Sequence, residues 1–433
     1  MSLSTMPPLT IPLENGYTKN PTESPTLDFD VVVVGGGIVG LTMALAIAPS
    51  SLRIALVESS GESIAARRGQ AYNISPRSAQ IFHQLGIWGD LLPRITPYEQ
   101  IRLSDGDYGE VVQFRPQDLG LPKDGYLGYI ASHGVLLTQL ESALGKTTIR
   151  RFCPVTVTNV SYHPQQAVLT LQSNDSSTAL TLTSQLVIGA DGAHSPLRRS
   201  AGIHTFGWRY PQACVVATIQ SELYHQRIAY ERFWPSGPFA VLPMDGGRCR
   251  IVWTAPYPEA ESLLHCDSQV FIEQLHQRFG AHLGKVTLEG ERVLLPVELM
   301  HSDHYVLHRL ALIGDAAHRC HPVGGQGLNL GLRDVAVLRE VLLSACHKGN
   351  DIGDLSTLRH FDHRSRVHNL MMLAVTDGLV KLFSNQWLPF VALRRLGLNL
   401  MRAIPMIRHW VLRLMTGCYG QYQSLSLWKS IQS

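Results

Sequence analysis

The chain has 433 residues, 37 Lys and Arg against 34 Asp and Glu for a net charge of +3, and 45% hydrophobic against 16% charged residues. That length exceeds one typical domain and supplies a large core, while the near-balance of charge excludes the basic field that a nucleic-acid partner requires. The seven cysteines (153, 214, 249, 266, 320, 346 and 418) are scattered without a CxxC pair, and the 19 histidines show no ligand spacing. A disulfide framework and a metal site are therefore not expected, and the usage fits a reducing, cytoplasmic setting.

Residues 1–28 are rich in Pro, Ser and Thr without an apolar core region, and are expected to form a disordered lead-in rather than a signal peptide. Asp30-Val31-Val32-Val33-Val34 then predicts a buried parallel strand. It runs into Gly35-Gly36-Gly37-Ile38-Val39-Gly40, a helical stretch over Leu41–Ala48, and a second strand Arg53–Val57 ending at Glu58. Glycines so spaced allow a tight turn and close approach of backbone to a pyrophosphate, and an acid after the second strand binds a ribose hydroxyl pair. In that context the pattern predicts an adenosine diphosphate without a 2′-phosphate, that is FAD or NAD.

From Val155 to about Leu182 alternation predicts antiparallel strands. Leu186-Val187-Ile188-Gly189-Ala190-Asp191-Gly192 reads as another buried strand ending in Asp-Gly. Residues from about Phe206 to Leu299 read as strands with a helix near Ser268–Phe279, and the α/β pattern returns at Arg309–Val341. Within it, Leu312-Ile313-Gly314-Asp315-Ala316-Ala317-His318 continues through Pro322, Gly325, Gly327, Leu328 and Asn329 to Asp334. This strand, glycine loop and helix start offer backbone N–H groups and a positive dipole end to an electron-rich ligand.

No apolar run reaches the roughly 18 residues of a spanning helix. From Gly378 onward there is no Asp or Glu, yet Lys381, Arg394, Arg395, Arg402, Arg408, Arg413 and Lys429 alternate with apolar residues. That segment, 378–433, fits an anionic membrane surface or the delivery of a greasy substrate as well as it fits helices docked on the core; a contact with a quinone-biosynthesis complex through it is implied only by the resemblance given next.

Three motifs in order, Gly35–Gly40 with Glu58, Gly189–Gly192 and Gly314–His318, resemble the single-component flavoprotein aromatic hydroxylases, the group of para-hydroxybenzoate hydroxylase. Glu231-Arg232-Phe233 and Gly325–Asp334 make the chain most similar to the ubiquinone-biosynthesis hydroxylases within it. The resemblance implies an α/β fold: an FAD/NAD(P)-binding Rossmann-like domain (29–100, 127–205 and 300–350) interrupted by a mixed-sheet substrate domain (101–126 and 206–299), with C-terminal helices over 351–433. It implies FAD held by Gly35, Gly37, Ile38, Val39, Gly40, Glu58, Ser59, Arg68, Asp191, Gly192, Gly314 and Asp315, with Pro322, Gly325, Gly327, Leu328 and Asn329 along the flavin ring. The family pattern is broken at Ala66 and at Gly134, which lies beside His133.

The activity so implied is FAD-dependent monooxygenation, using NAD(P)H and O2 through a flavin C4a-hydroperoxide, of a small hydrophobic aromatic substrate such as a polyprenylated phenol. Two alternatives share the motifs: an isoprenoid reductase or epoxidase, and a non-catalytic flavoprotein subunit of a quinone-biosynthesis complex. His318, His321 and Tyr210 are the candidates for activating a phenol. Glu231 and Arg232, adjacent and opposite in charge, are read as a sheet-surface ion pair, Arg198 as a local helix cap and Cys320 as a packing residue.

Overall fold

A computed structural model describes residues 27–61, 70–108, 110–173 and 179–417. Arg68, Ala66 and Lys429 lie outside the described residues, as does all but the end of the expected lead-in. Asp28, assigned by sequence to that lead-in, is already part of the fold. Its carboxylate accepts from the Thr183 backbone N–H at 2.8 Å and from the Thr183 hydroxyl at 2.9 Å.

Among the described residues the strands form sheets of eight, eight and three strands. The first is built around Phe29–Val34, which pairs in parallel with Ile54–Val57 on one side and Ala179–Gly189 on the other. Leu310–Leu312 extends this sheet in parallel through Val187↔Leu310. Val31, Val32 and Val33 are fully buried, which is why the run is continuously apolar rather than alternating. Each such side chain contributes about 1.5–3 kcal/mol. The helix Ile38–Ile47 is apolar on all sides because it is covered on all sides, between the sheet and the helix Gly327–His347. Strands Val155–Tyr162 and Ala167–Ser173 form the expected antiparallel extension.

The second sheet is mostly antiparallel and runs, in order, His318–Arg319, Val286–Ser302, Thr205–Ser221, Arg248–Pro256, Gly237–Pro243, Ile228–Trp234, Gln100–Asp105 and Glu110–Phe114. Its one parallel pairing, Glu231↔Leu103, brings in the early strand Gln100–Asp105. Two boundaries differ from the sequence expectation. Val286–Ser302 runs through the division placed at 299/300, and His318–Arg319 pairs with its end at His301 and Met300. Ladder hydrogen bonds, not composition, set where a sheet stops. The small third sheet, Ala71–Ile74, Gly128–Ser132 and Thr96–Tyr98, lies against the strand Gly237–Pro243 through Thr96–Tyr98 and against the helix Gly327–His347 through Ala71–Ile74.

Helices Leu355–Phe383, Leu388–Ala403 and Pro405–Thr416 close the chain. The last two each bury a narrow stripe, including Leu398 and Leu412, and expose Leu388, Leu393, Leu396, Met406 and Trp410. Arg394 and Arg408 do not serve that outer face: Arg394 is buried on Asp105, and Arg408 reaches Asp118 at 3.2 Å. No described helix is long and apolar enough to cross a membrane.

Candidate active site

One cavity of about 550 Å³ runs from the glycine turns of the first sheet to the inner face of the second, roofed by the C-terminal helices. At its first end the chain turns sharply at Gly35, whose φ of +110° and approach to Ala190 O leave no room for a side chain: a Cβ there would lie 2.3 Å from that oxygen. The next turn opens helix Ile38–Ile47 at Gly37, extended and without a side-chain cap, with open space beside it. Glu58 sits at the end of the second strand, its carboxylate accepting from Gly36 N–H at 2.5 Å and Ser60 N–H at 2.6 Å.

A second uncapped helix start converges on the same cavity. Pro322 to Gln326 form a tight loop with Gly324 and Gly325 at positive φ, and helix Gly327–His347 begins without a side-chain cap or an acid in its first turn. Both helix starts therefore present unsatisfied N–H groups and a positive dipole end. Those two starts, the side-chain-free cradle at Gly35 and the carboxylate at Glu58 fit a dinucleotide such as FAD.

The expected cofactor residues divide in their placement. Gly37, Ile38, Val39, Gly192, Asp315, Pro322, Gly325, Gly327 and Leu328 line the cavity. Gly35, Gly40, Glu58, Ser59, Asp191, Gly314 and Asn329 are not part of that lining; Gly35, Gly40 and Gly314 form or support the turns beside it, and Ser59 is exposed. Asn329 is a bracket: its carbonyl oxygen accepts from Ser75 N–H at 2.9 Å and the Ser78 hydroxyl at 2.7 Å, and its amide donates to Asn73 O and Gly325 O. Asp191 accepts from Leu197 N–H at 3.1 Å, and burial raises its carboxyl above the usual range. Arg198 does more than cap a helix. It donates to Ala316 O at 2.7 Å and to Ala193 O at 2.8 Å, tying two cofactor-side turns together.

None of the three residues considered for phenol activation lines the cavity. His318 Nε2 lies 2.6 Å from Asp334, both buried, and Asp334 also accepts from Gly314 N–H and the Asn369 amide. This network fixes the Gly314 turn from behind. His321 accepts from Val323 N–H at 3.2 Å, and burial lowers it to about 4, so it is neutral. The Tyr210 hydroxyl donates to Asp377 at 2.7 Å, and burial with the facing carboxylate raises its pKa further. Cys320 does line the cavity; burial holds its thiol at about 12, protonated and unreactive.

Sequence reasoning missed the third wall. Gln70, Tyr72 and Asn73 line the cavity from the small sheet. The Tyr72 hydroxyl donates to Gln70 at 2.8 Å and lies 3.1 Å from His133 Nδ1, while Asn73 accepts from the Tyr98 hydroxyl at 2.9 Å. Their only signal was the polar alternation in Gln70–Ile74. It also misread Glu231. Arg232 points away from the cavity, donating to Arg278 O, Phe279 O and Gly106 O, while Glu231 lines the cavity. Neighbours along a strand face opposite sides, so the two cannot pair.

Residues 28–355 match the family model described as FAD binding domain. The chain is 41% identical over 406 residues to the uncharacterized protein slr1300 of Synechocystis, covering 94% of this chain and 97% of that one. It is 36% identical over 376 residues to the ubiquinone hydroxylase UbiL of Rhodospirillum rubrum, covering 86% and 85%. It is 30% identical over 441 residues to the human mitochondrial ubiquinone biosynthesis monooxygenase COQ6, covering 89% and 92%. Among solved structures the fold is shared with the p-nitrophenol 4-monooxygenase PnpA of Pseudomonas putida, at a TM-score of 0.75 and 19% identity over 89% of this chain and 98% of that one.

Fold and site thus define an FAD-dependent monooxygenase of the aromatic hydroxylase class. Within that class the chain belongs to the ubiquinone-biosynthesis hydroxylase family.

Proposed function

We propose that the protein hydroxylates the ring of a polyprenylated phenol, taking electrons from NAD(P)H and one oxygen atom from O2. The observation that carries this reading is the shape of the cavity. Beyond the cofactor end its walls are apolar, with Phe233, Leu242 and Val252 from the large sheet and Phe383, Leu398 and Leu412 from the C-terminal helices. Such a space accepts a ring near the cofactor and an isoprenoid chain toward the helical roof. The names of UbiL and COQ6 supply the pathway by analogy.

Bound FAD supplies the redox chemistry and the activation of oxygen. When FAD is bound, the N-terminus of Ile38–Ile47 would hold its phosphates and that of Gly327–His347 would face the ring and stabilise negative charge on it. The sheet excludes water from the oxidised carbon. The exposed apolar rim of Leu388–Ala403 and Pro405–Thr416 rests on a membrane surface, from which the lipid-soluble substrate enters. We take the place of action to be the cytoplasmic side of that surface.

The test is turnover under 18O2 with NADH or NADPH, using a prenylated phenol, together with metabolite profiling of a deletion strain. One labelled oxygen on the ring and accumulation of an unhydroxylated prenylated precursor are expected. Substrate reduction without oxygen transfer, or label in an epoxide, would defeat the reading.

A further inference from the structure

The sheet wall that would surround the substrate ring is mostly apolar, and among its described residues Glu231 brings a carboxyl to it beside the Cys214 thiol and the Thr254 hydroxyl. Glu231 enters the cavity from the strand Ile228–Trp234, flanked on its own strand by Ala229 and Phe233. Its paired neighbours are Leu103 on one side and Ala240 on the other, neither a charge nor a donor, and Asp105, on the same face as Leu103, is taken up by Arg394 at 2.9 Å. Among the described residues no side chain or backbone group donates a hydrogen bond to its carboxyl. Glu231 is half-buried and lines the cavity. An unpaired carboxyl in such a place is costly to bury, and a fold that only needed to pack there would use an apolar residue.

Few charged or titratable groups face it. From Thr205–Ser221 comes the Cys214 thiol, which hydrogen bonds with Thr254 at 3.0 Å and is held at about 12, neutral. Arg248–Pro256 presents Val252 and Thr254, and the helical roof presents Leu379 and Phe383. On the cofactor side Arg319 is bound to Glu298 and lies 3.5 Å from Asp315. Among the described residues lining the cavity, this cation is therefore occupied elsewhere.

We propose that Glu231 is the catalytic base of the hydroxylation, accepting the proton of the ring hydroxyl. The proposal rests on the reading of the substrate as a phenol. The phenolic O–H bond breaks with its electron pair left on oxygen, and an O–H bond forms on the carboxylate. The ring carbon, now electron-rich, would form its new C–O bond to oxygen activated by bound FAD. The C–H electron pair of that carbon then returns to the ring, its proton leaves in the water that is the co-product of monooxygenation, and Glu231 returns its own proton to the ring oxygen. Burial supports this chemistry by raising the carboxyl to about 8, which brings it closer to a phenol than an ordinary carboxylate is.

The test compares the FAD-loaded wild type with Glu231→Gln, which preserves shape. With a short-chain 2-prenylphenol and 18O2, wild-type kcat/KM should rise with pH to a plateau above about 8. The variant should lose that limb and fall by about 10²–10⁴-fold while retaining its flavin absorbance. A second readout needs no turnover. Binding of 4-nitrophenol, followed by difference absorbance, should weaken about tenfold per pH unit above 8 in the wild type, because the complex holds one proton that the free partners have lost. In the variant the weakening should instead set in at the phenol's own pKa, because its apolar wall takes only the neutral phenol and no carboxyl holds the proton. A variant with an unchanged pH limb and a rate within about threefold of wild type would overturn the proposal, as would equal pH dependence of 4-nitrophenol binding in the two proteins or binding to neither. A wild type that binds 4-nitrophenol with the expected pH dependence, yet hydroxylates no phenol, would overturn the proposed reaction and leave the contact in place.

Discussion

Arg394 and Asp105 meet at 2.9 Å, both almost wholly buried, and their contact fastens the helix Leu388–Ala403 to the far strands of the large sheet. Arg394 also donates to Phe383 O at 3.1 Å and Asn385 O at 2.7 Å. The exposed Arg395 stands 3.6 Å from the same carboxylate. Removing one member of a buried pair strands the other. Arg394→Met should therefore cost about 3 kcal/mol, the lower end for such a break because Arg395 remains. Denaturant midpoints measure it, and pairing the change with Asp105→Leu should recover much of the loss.

Gly35→Ala places a methyl 2.3 Å from Ala190 O at a φ that side chains avoid. The turn must open, and the pyrophosphate cradle with it. FAD affinity should fall at least about tenfold, equivalent to about 1.4 kcal/mol. Flavin titration of the apoprotein checks this, and unchanged affinity would mean that the turn does not contact the cofactor.

His321 and His301, both buried, are depressed to about 4 by burial, whereas in an unfolded chain they titrate near 6.5. Between those values the unfolded state holds protons that the folded state does not. Folding stability should accordingly be complete above pH 6.5 and fall as pH drops toward 4, by up to about 1.4 kcal/mol per pH unit for each histidine. His321→Asn should flatten that slope relative to wild type in urea denaturation at matched pH. Equal slopes would show that His321 titrates normally.

The apolar rim makes the membrane prediction specific. Leu388, Met406 and Trp410 are 78%, 69% and 56% exposed. Inserting each into a bilayer interface is worth at least about 1.5 kcal/mol, so Leu388→Glu with Met406→Glu and Trp410→Glu should cut cosedimentation with anionic liposomes at least about a hundredfold. Turnover of a detergent-dispersed short-chain substrate should be spared, since these side chains face away from the cavity. Undiminished sedimentation would remove the membrane from the account.

The fold was legible where one-dimensional pattern and three-dimensional role coincide. Val31–Val34 announce a strand covered on both faces, and the glycines after it announce the turn, because burial and backbone approach leave direct traces in composition. The site was legible only along its cofactor side. The substrate wall was not, since a strand shows which residues share a face but not which face meets a cavity. Glu231 next to Arg232 therefore looked like a surface pair. Histidines in a glycine loop looked catalytic, although His318 spends its ring on Asp334. The C-terminal segment looked undecided between core and membrane because its helices carry apolar residues both toward the core and on their exposed side, and no periodicity separates two apolar faces.

The parallel register of Leu310–Leu312 beside Ala179–Gly189 sets an order of assembly. The cofactor cleft is composed from turns near residues 35, 190 and 315, and the last of these emerges from the ribosome only after every strand of the large sheet except His318–Arg319 has been translated. A nascent chain can fold its first strands early, but it has no complete seat for a dinucleotide until roughly three-quarters of its length exists. FAD then acts as a late clasp across distant stretches of sequence. Its supply in the cell should set how much of the newly made protein survives proteolysis.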